Sequence, residues 1–96
     1  MKTVIRVTQQ DIINGTRKCD LSCPIALAVN REIIQHASVF DNKLIIHRNL
    51  DEYWDNDVEP IDTIPLDEVT RDWLDGYDQG FRVEPLEITI HFKAVP

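Results

Sequence analysis

The sequence predicts a single α+β domain in which a small, mostly antiparallel sheet carries its helices on one face. Three observations lead to this prediction. The chain has 96 residues, which is enough for one domain with one core. Apolar residues alternate with polar residues at both ends of the chain, as in half-buried strands. Between these ends, helix-start signals and a hairpin signal give the element order β-α-α-β-β-α-β.

The first strand and the first helix are predicted from adjacent patterns. Residues 3–7 alternate with a period of two, which is typical of a strand. Thr8 has the hydroxyl of a good helix N-cap, and Asp11, three residues on, is the reciprocal partner in a capping box. We expect this short helix to end at Asn14-Gly15, with the glycine in the left-handed conformation.

The second helix and the central hairpin follow a polar loop. Pro24 favours the first position of a helix, which we expect to run to about His36 and to be the most buried helix. Residues 38–40 and 43–47 then predict two strands. Asp41-Asn42 joins them in a tight turn, because both residue types tolerate a positive φ.

The last third of the chain predicts an acidic loop, a helix and a strand. Residues 50–63 show no clean periodicity, so we expect an irregular loop that allows a short strand near Trp54. Pro65 is expected to open the third helix and Gly80 to end it. Residues 86–92 alternate strongly and predict the last strand. Four apolar residues have the spacing of one buried helical face: Leu66, Val69, Trp73 and Tyr77.

Charge is distributed unevenly along the chain. The net charge is −7, yet residues 1–50 carry four acids against seven bases. Residues 51–87 carry thirteen acids against Arg71 and Arg82 alone. Such a field repels phosphate backbones, so we expect no direct binding of DNA or RNA. It would attract a basic protein surface, although an acidic surface also serves solubility alone.

The sequence also bears on the protein's location. No apolar run is long enough to span a membrane, and no signal peptide is visible, so we expect a cytoplasmic protein with no membrane partner. The two cysteines are then expected to be reduced. Pairing of strands between two copies is compatible with such a small core.

Two sequence blocks resemble a known group of proteins. Residues 7–15, VTQQDIING, and residues 23–28, CPIALA, resemble a family of small uncharacterised proteins encoded mainly by bacteriophages, prophages and their bacterial hosts. Residues 65–80 and 83–92 resemble the family's terminal helix and strand, although Tyr77 stands where the family often has Phe. The resemblance leaves residues 38–62 unmatched. It implies a phage or mobile-element setting and no catalytic residue.

The leading functional hypothesis is a small, non-enzymatic accessory protein that binds a host protein with a basic surface. Inhibition of a host defence or nucleic-acid-handling complex is the concrete version of this hypothesis. An aromatic pair ringed by acids is a common anchor for protein binding. The candidate contact residues are Asp51, Glu52, Tyr53, Trp54, Asp55, Asp57 and Glu59. A role of Trp54 in closing the end of the sheet is the structural alternative.

Two other hypotheses use different residues. Cys23 lies at a helix N-terminus, which favours a thiolate, so a thiol enzyme or redox switch with Cys19 as the resolving thiol is one alternative. A buried capping role for Cys23 is the simpler interpretation. The other alternative is a pocket for a small anionic ligand near Arg17, Lys18 and Arg31.

The sequence predicts no metal or cofactor site. A structural zinc ion requires four ligands, commonly two pairs of Cys or His. Here Cys19 and Cys23 form one pair, and His36, His47 and His91 lie singly on different elements. There is no glycine-rich phosphate loop, because the three glycines are isolated. We therefore assign no catalytic, metal or cofactor residue.

Overall fold

The computed structural model describes residues 2–33, 35–55 and 57–92 and has the predicted α+β architecture. Nine elements follow one another along the chain: β1 (Lys2–Val7), α1 (Gln9–Asn14), α2 (Pro24–Glu32), β2 (His36–Phe40), β3 (Lys43–His47), α3 (Leu50–Tyr53), β4 (Asp62–Pro65), α4 (Glu68–Asp78) and β5 (Leu86–His91). The predicted order is confirmed, with α3 and β4 added within the acidic segment.

The strands form two antiparallel sheets rather than the one sheet that we predicted. β1 pairs with β5, so that the first and last strands of the described chain are neighbours. β2, β3 and β4 form the second sheet in that order. The hairpin turn is as predicted, because Asp41 and Asn42 have φ values of 53° and 60°. Helix α2 packs against both β1 and β2 and so connects the two sheets.

The core is built from the apolar faces that the periodicity indicated. Ile5 of β1 lies opposite Ile88 of β5, and both belong with Val7 and Ile90 to one buried cluster that includes the apolar first half of α2. α2 is the helix with the most buried residues, in agreement with the prediction.

Helix α2 ends at Glu32, four residues earlier than expected. Asn30 explains the early end, because its side chain bonds to the backbone of Ala37 on the outer edge of β2. The Ala37 N–H donates to Asn30 Oδ1 at 2.6 Å, and Asn30 Nδ2 donates to the Ala37 carbonyl at 3.0 Å. These bonds pair the edge of the strand and start β2 at His36 instead of extending the helix.

Two predictions, one for a proline and one for a glycine, are wrong: Pro65 does not open a helix, and Gly15 is not left-handed. Pro65 ends β4, and α4 begins three residues later, where the Asp67 side chain accepts the Thr70 N–H at 2.8 Å. Gly15 is extended, with φ −71°, and is not left-handed. Glycine is required there because a Cβ would lie 2.8 Å from the ring of Pro24.

Within α4, Val69 does not join the buried face. Its side chain is 69% exposed, whereas Leu74 and Tyr77 are buried. Helix α4 therefore contributes Leu74 to the core cluster, with Trp73 packed against it.

Candidate functional site

The acidic segment folds into a short helix and a turn that present one aromatic residue to solvent. Asn49 caps α3, because its side chain accepts the Glu52 N–H at 3.0 Å. The helix ends at Tyr53, so Trp54 follows at the start of the turn, 67% exposed. The expected short strand near Trp54 is not formed. The Trp54 side chain therefore faces outward. This orientation fits a role in contacting a partner and does not fit a role in closing the end of the sheet.

Tyr53 holds this aromatic pair in place. Its hydroxyl donates to Asp20 Oδ2 at 3.2 Å, across a separation of 33 residues. Its ring meets Trp54 edge to face at a centroid distance of 4.8 Å and His47 at 6.1 Å. Burial and the nearby Asp20 carboxylate raise the pKa of Tyr53, so the hydroxyl keeps its proton for this bond. The indole is thus supported by a fixed neighbour.

Exposed carboxylates flank Trp54 along the chain. Asp51, Asp55, Asp57 and Glu59 are exposed, and none of them pairs with a cation among the residues that the structure describes. Glu52 differs from them, because its carboxylate accepts Arg48 Nη1 at 3.1 Å and is largely buried. We call Trp54 with these four unpaired acids the acidic surface; Tyr53 supports it, and Glu52 belongs to its scaffold.

A groove of about 370 Å³ lies beside the acidic surface. The carboxylates of Asp20 and Asp55 and the rings of Phe40 and Tyr53 line it, together with Val58. Phe40 is 60% exposed. A groove with acidic and aromatic walls suits a cation, because carboxylates attract the charge and ring faces stabilise it.

Two buried polar groups also line this groove. Ser38 Oγ and His47 Nδ1 have no hydrogen-bond partner within the described ranges. Ser38 is completely buried and His47 is 9% exposed. A buried polar atom without a partner costs about 1–3 kcal/mol.

The two cysteines have different environments. Cys23 is buried and caps α2, since its sulfur accepts the Ala26 N–H at 3.4 Å. Burial raises its pKa to about 11, so the side chain is a neutral thiol at physiological pH. This environment favours the capping role over the nucleophilic one. Hydrogen bonds from the Leu21 backbone and the Ser22 side chain lower the pKa of Cys19, which is half-buried.

The three basic residues proposed for an anion pocket do not come together. Arg31 is committed to Asp11, with Nη1 and Nη2 at 2.7 and 3.1 Å from the carboxylate oxygens. Lys18 lines a cleft that also contains Asp78, whose carboxylate accepts the Lys18 backbone N–H at 2.9 Å. Arg17 lines a separate groove. The pocket as predicted is therefore not formed.

The histidines lie on separate parts of the two sheets. His36 and His47 are opposite each other on β2 and β3, and His91 ends β5. Within the described part of the chain, no three His, Cys, Asp or Glu side chains are grouped to hold a metal ion. Burial first, and then the neighbouring His47, lower the pKa of His36.

Sequence reasoning missed the residues that the fold brings to the acidic segment. Asp20 lies in a loop 33 residues from Tyr53, and no local pattern connects them. The proximity of Ser38 and His47 could have been predicted, because the register of the predicted hairpin places both side chains on the same face of β2 and β3.

Compared with protein-family models, curated proteins and solved structures, the chain matches none. Over the described residues, no helix combines the length and apolar character that crossing a membrane requires. The class that the fold and the site define is a small α+β domain with an acidic, aromatic surface.

Proposed function

We propose that this protein is a binding protein, not an enzyme, and that its acidic surface docks on a basic surface of a partner protein. The observation that carries the proposal is Trp54, a large apolar ring left 67% exposed among four unpaired carboxylates. Tryptophan is enriched among residues that dominate binding energy, especially where surrounding contacts exclude water.

The support of the indole favours this role. Tyr53 is tied to Asp20 and meets the Trp54 ring edge to face, so the anchor is partly ordered before a partner arrives. Ordering a side chain on binding costs about 0.5–1.5 kcal/mol, and a pre-positioned ring avoids part of this cost.

Charge favours a basic partner over other classes. The unpaired acids around Trp54 attract a cationic surface and increase the rate of encounter. The adjacent groove offers the Asp20 and Asp55 carboxylates and the Tyr53 ring to one basic side chain of the partner. A guanidinium is the best match, because it pairs with carboxylates and stacks on aromatic rings.

A basic protein surface commonly holds nucleic acid, so occupying it would displace that ligand. The resemblance of residues 7–15 and 23–28 to phage and prophage proteins favours a bacterial host protein as the partner. We propose inhibition of a host nucleic-acid-handling or defence complex by competition for its basic surface.

Quantitative affinity capture from bacterial lysate tests the proposal. The test variant Asp51→Lys/Asp57→Lys/Glu59→Lys reverses three unpaired acids of the acidic surface. The control variant Glu68→Lys/Asp72→Lys/Asp75→Lys reverses three exposed acids of α4. Each variant changes the net charge from −7 to −1, because every replacement adds two charges, and each includes one acid from the first turn of a helix.

We expect a specific host protein to be recovered by the native chain and by the control variant but lost with the test variant. Trp54→Ala should weaken its capture by about 30-fold or more, the effect of removing a binding hot spot of about 2 kcal/mol. Phe81→Ala, which removes a ring that is 65% exposed elsewhere, should leave capture unchanged. An equal loss of capture with both triple variants would mean that capture depends only on the net charge of the chain, and this result would contradict the proposal.

A further inference from the structure

A second groove lies between the ends of α1 and α4 and has the opposite electrostatic character. It encloses about 710 Å³ and is lined by the end of α1, by Arg17 in the following loop, and by residues 80–83 after α4. Tyr77 also lines it, and its hydroxyl donates to the Ile12 carbonyl at 3.2 Å, which ties α4 to α1. The volume lies within the range of small-molecule sites.

Among the described residues, two arginines and no acids line this groove. Arg17 and Arg82 form no ion pair within the parts of the chain that the structure describes. No Asp or Glu is among the described residues lining it, although the chain has 17 acids. Unpaired guanidinium groups in a carboxylate-free groove, on a chain of net charge −7, favour an anion at this place.

The same groove exposes two large apolar side chains. Ile13 and Phe81 are each 65% exposed and both line it. Phe81 is positioned by its N–H, which donates to the Gly76 carbonyl at 2.9 Å. A ligand that covered these side chains would remove apolar surface from water, at about 25 cal/mol per Å².

The backbone around Gly80 positions Arg17. Gly80 has a φ of 88°, a conformation that L side chains rarely adopt. The Arg17 guanidinium lies 3.5–3.6 Å from the place that a Cβ at Gly80 would occupy. The guanidinium therefore packs against the turn at the groove, and it is the positive φ of this turn that favours glycine.

We infer that this groove binds a small amphiphilic anion, with a carboxylate or phosphate head group on an apolar chain or ring. The head group would pair with Arg17 and Arg82, because guanidinium groups bind planar carboxylates and phosphates with two parallel hydrogen bonds. The apolar part would lie against Ile13 and Phe81. This site is independent of the acidic surface.

Titration followed by amide NMR tests the inference with defined probes. Sodium octanoate and octyl phosphate carry both features, whereas sodium acetate has only the charge and 1-octanol only the chain. Arg17→Gln/Arg82→Gln removes both charges while keeping long polar side chains. Arg6→Gln/Arg71→Gln is the matched control, because both of its arginines are exposed and neither lines the groove. The spectrum of each variant also reports whether it is folded.

We expect octanoate or octyl phosphate to shift the amides of residues 12–17 and 80–83, and the stronger of the two identifies the head group. Acetate and octanol should bind at least tenfold more weakly, and the Arg17→Gln/Arg82→Gln variant should lose at least tenfold in affinity. The control variant should bind like the native chain. Equal binding of octanol and octanoate, equal affinities of the two double variants, or shifts confined to other residues would each overturn the inference.

Discussion

Asp11 holds three elements together, and its replacement by asparagine gives a sharp test of how the fold is stabilised. The carboxylate of this buried residue accepts the Thr8 N–H at 2.9 Å, which completes the capping box of α1. It also accepts both terminal nitrogens of Arg31 on α2. Arg31 Nη2 additionally donates to the Arg6 carbonyl of β1 at 2.9 Å. Asp11→Asn keeps the size of the side chain and removes its charge.

The expected loss follows from this bonding pattern. An amide has one acceptor oxygen, so its NH₂ group must face a donor from either Thr8 or Arg31. A hydrogen bond to a charged group contributes about 1.5–3 kcal/mol, and an exposed ion pair contributes about 1 kcal/mol or less. The Arg31 side chain is 45% exposed, so we expect an intermediate loss of about 2 kcal/mol in the free energy of unfolding. The melting temperature should fall by about 10 °C.

The pH dependence distinguishes this mechanism from a simple packing defect. Burial opposes ionisation of Asp11, but the bonds from Arg31 and Thr8 outweigh it and leave its pKa below the usual value. The ionised carboxylate therefore stabilises the folded state above about pH 3.9, and this contribution disappears as the pH falls through the lowered folded-state pKa. The difference between the native chain and the variant should be complete at pH 7 and shrink below about pH 4.

Urea denaturation followed by tryptophan fluorescence measures this difference at several pH values. Asp72→Asn is the control, because Asp72 is exposed on α4 and should change stability by less than about 0.5 kcal/mol. A loss at Asp11 that is no larger than the loss at Asp72, or one that is constant with pH, would refute the reasoning.

Four further expectations follow from other parts of the structure. A thiol reagent should modify Cys19 well before Cys23, whose pKa is about 11, and equal rates would contradict the capping assignment. Because the pKa of His36 is lowered on folding, stability should fall as the pH drops below about 6.5, and His36→Gln should flatten this fall in urea midpoints. Gly15→Ala should destabilise by about 1–3 kcal/mol through contact with Pro24. A Cβ added at Gly76 would have its nearest neighbours, Val83 and Phe81, at 3.8 and 3.9 Å, so Gly76→Ala should stabilise by about 0.5–1 kcal/mol on urea unfolding.

Local patterns were sufficient for the elements that bury one face. The alternation of residues 86–92, the capping box of Thr8 and Asp11, and the Asp41-Asn42 turn each involve neighbours within a few residues. The patterns failed where a distant contact decides the outcome. Asn30 ends α2 early because it bonds to Ala37, a contact that helical periodicity does not register.

The candidate site shows the same contrast between local patterns and distant contacts. Trp54 and the acids that flank it in the sequence were proposed from composition, but the hydrogen bond that fixes Tyr53 could not be, because Asp20 reaches Tyr53 only through the fold. Arg17 lines a groove, but the other arginine that lines it is Arg82, and neither Lys18 nor Arg31, the partners expected from the sequence, lies there. Clusters built from sequence neighbours were predictable, and clusters built from separate elements were not.

The central claim is that the acidic surface binds a basic protein surface, and an NMR titration with an arginine-glycine repeat peptide tests it most directly. The two tryptophans provide an internal comparison: Trp54 is 67% exposed, whereas the Trp73 indole donates to the Glu84 carbonyl at 2.7 Å. We expect the Trp54 indole signal and the amides around it to shift on binding, while the Trp73 signal stays fixed. Shifts of equal size at both indoles, or shifts unchanged by Asp51→Lys/Asp57→Lys/Glu59→Lys, would contradict the account.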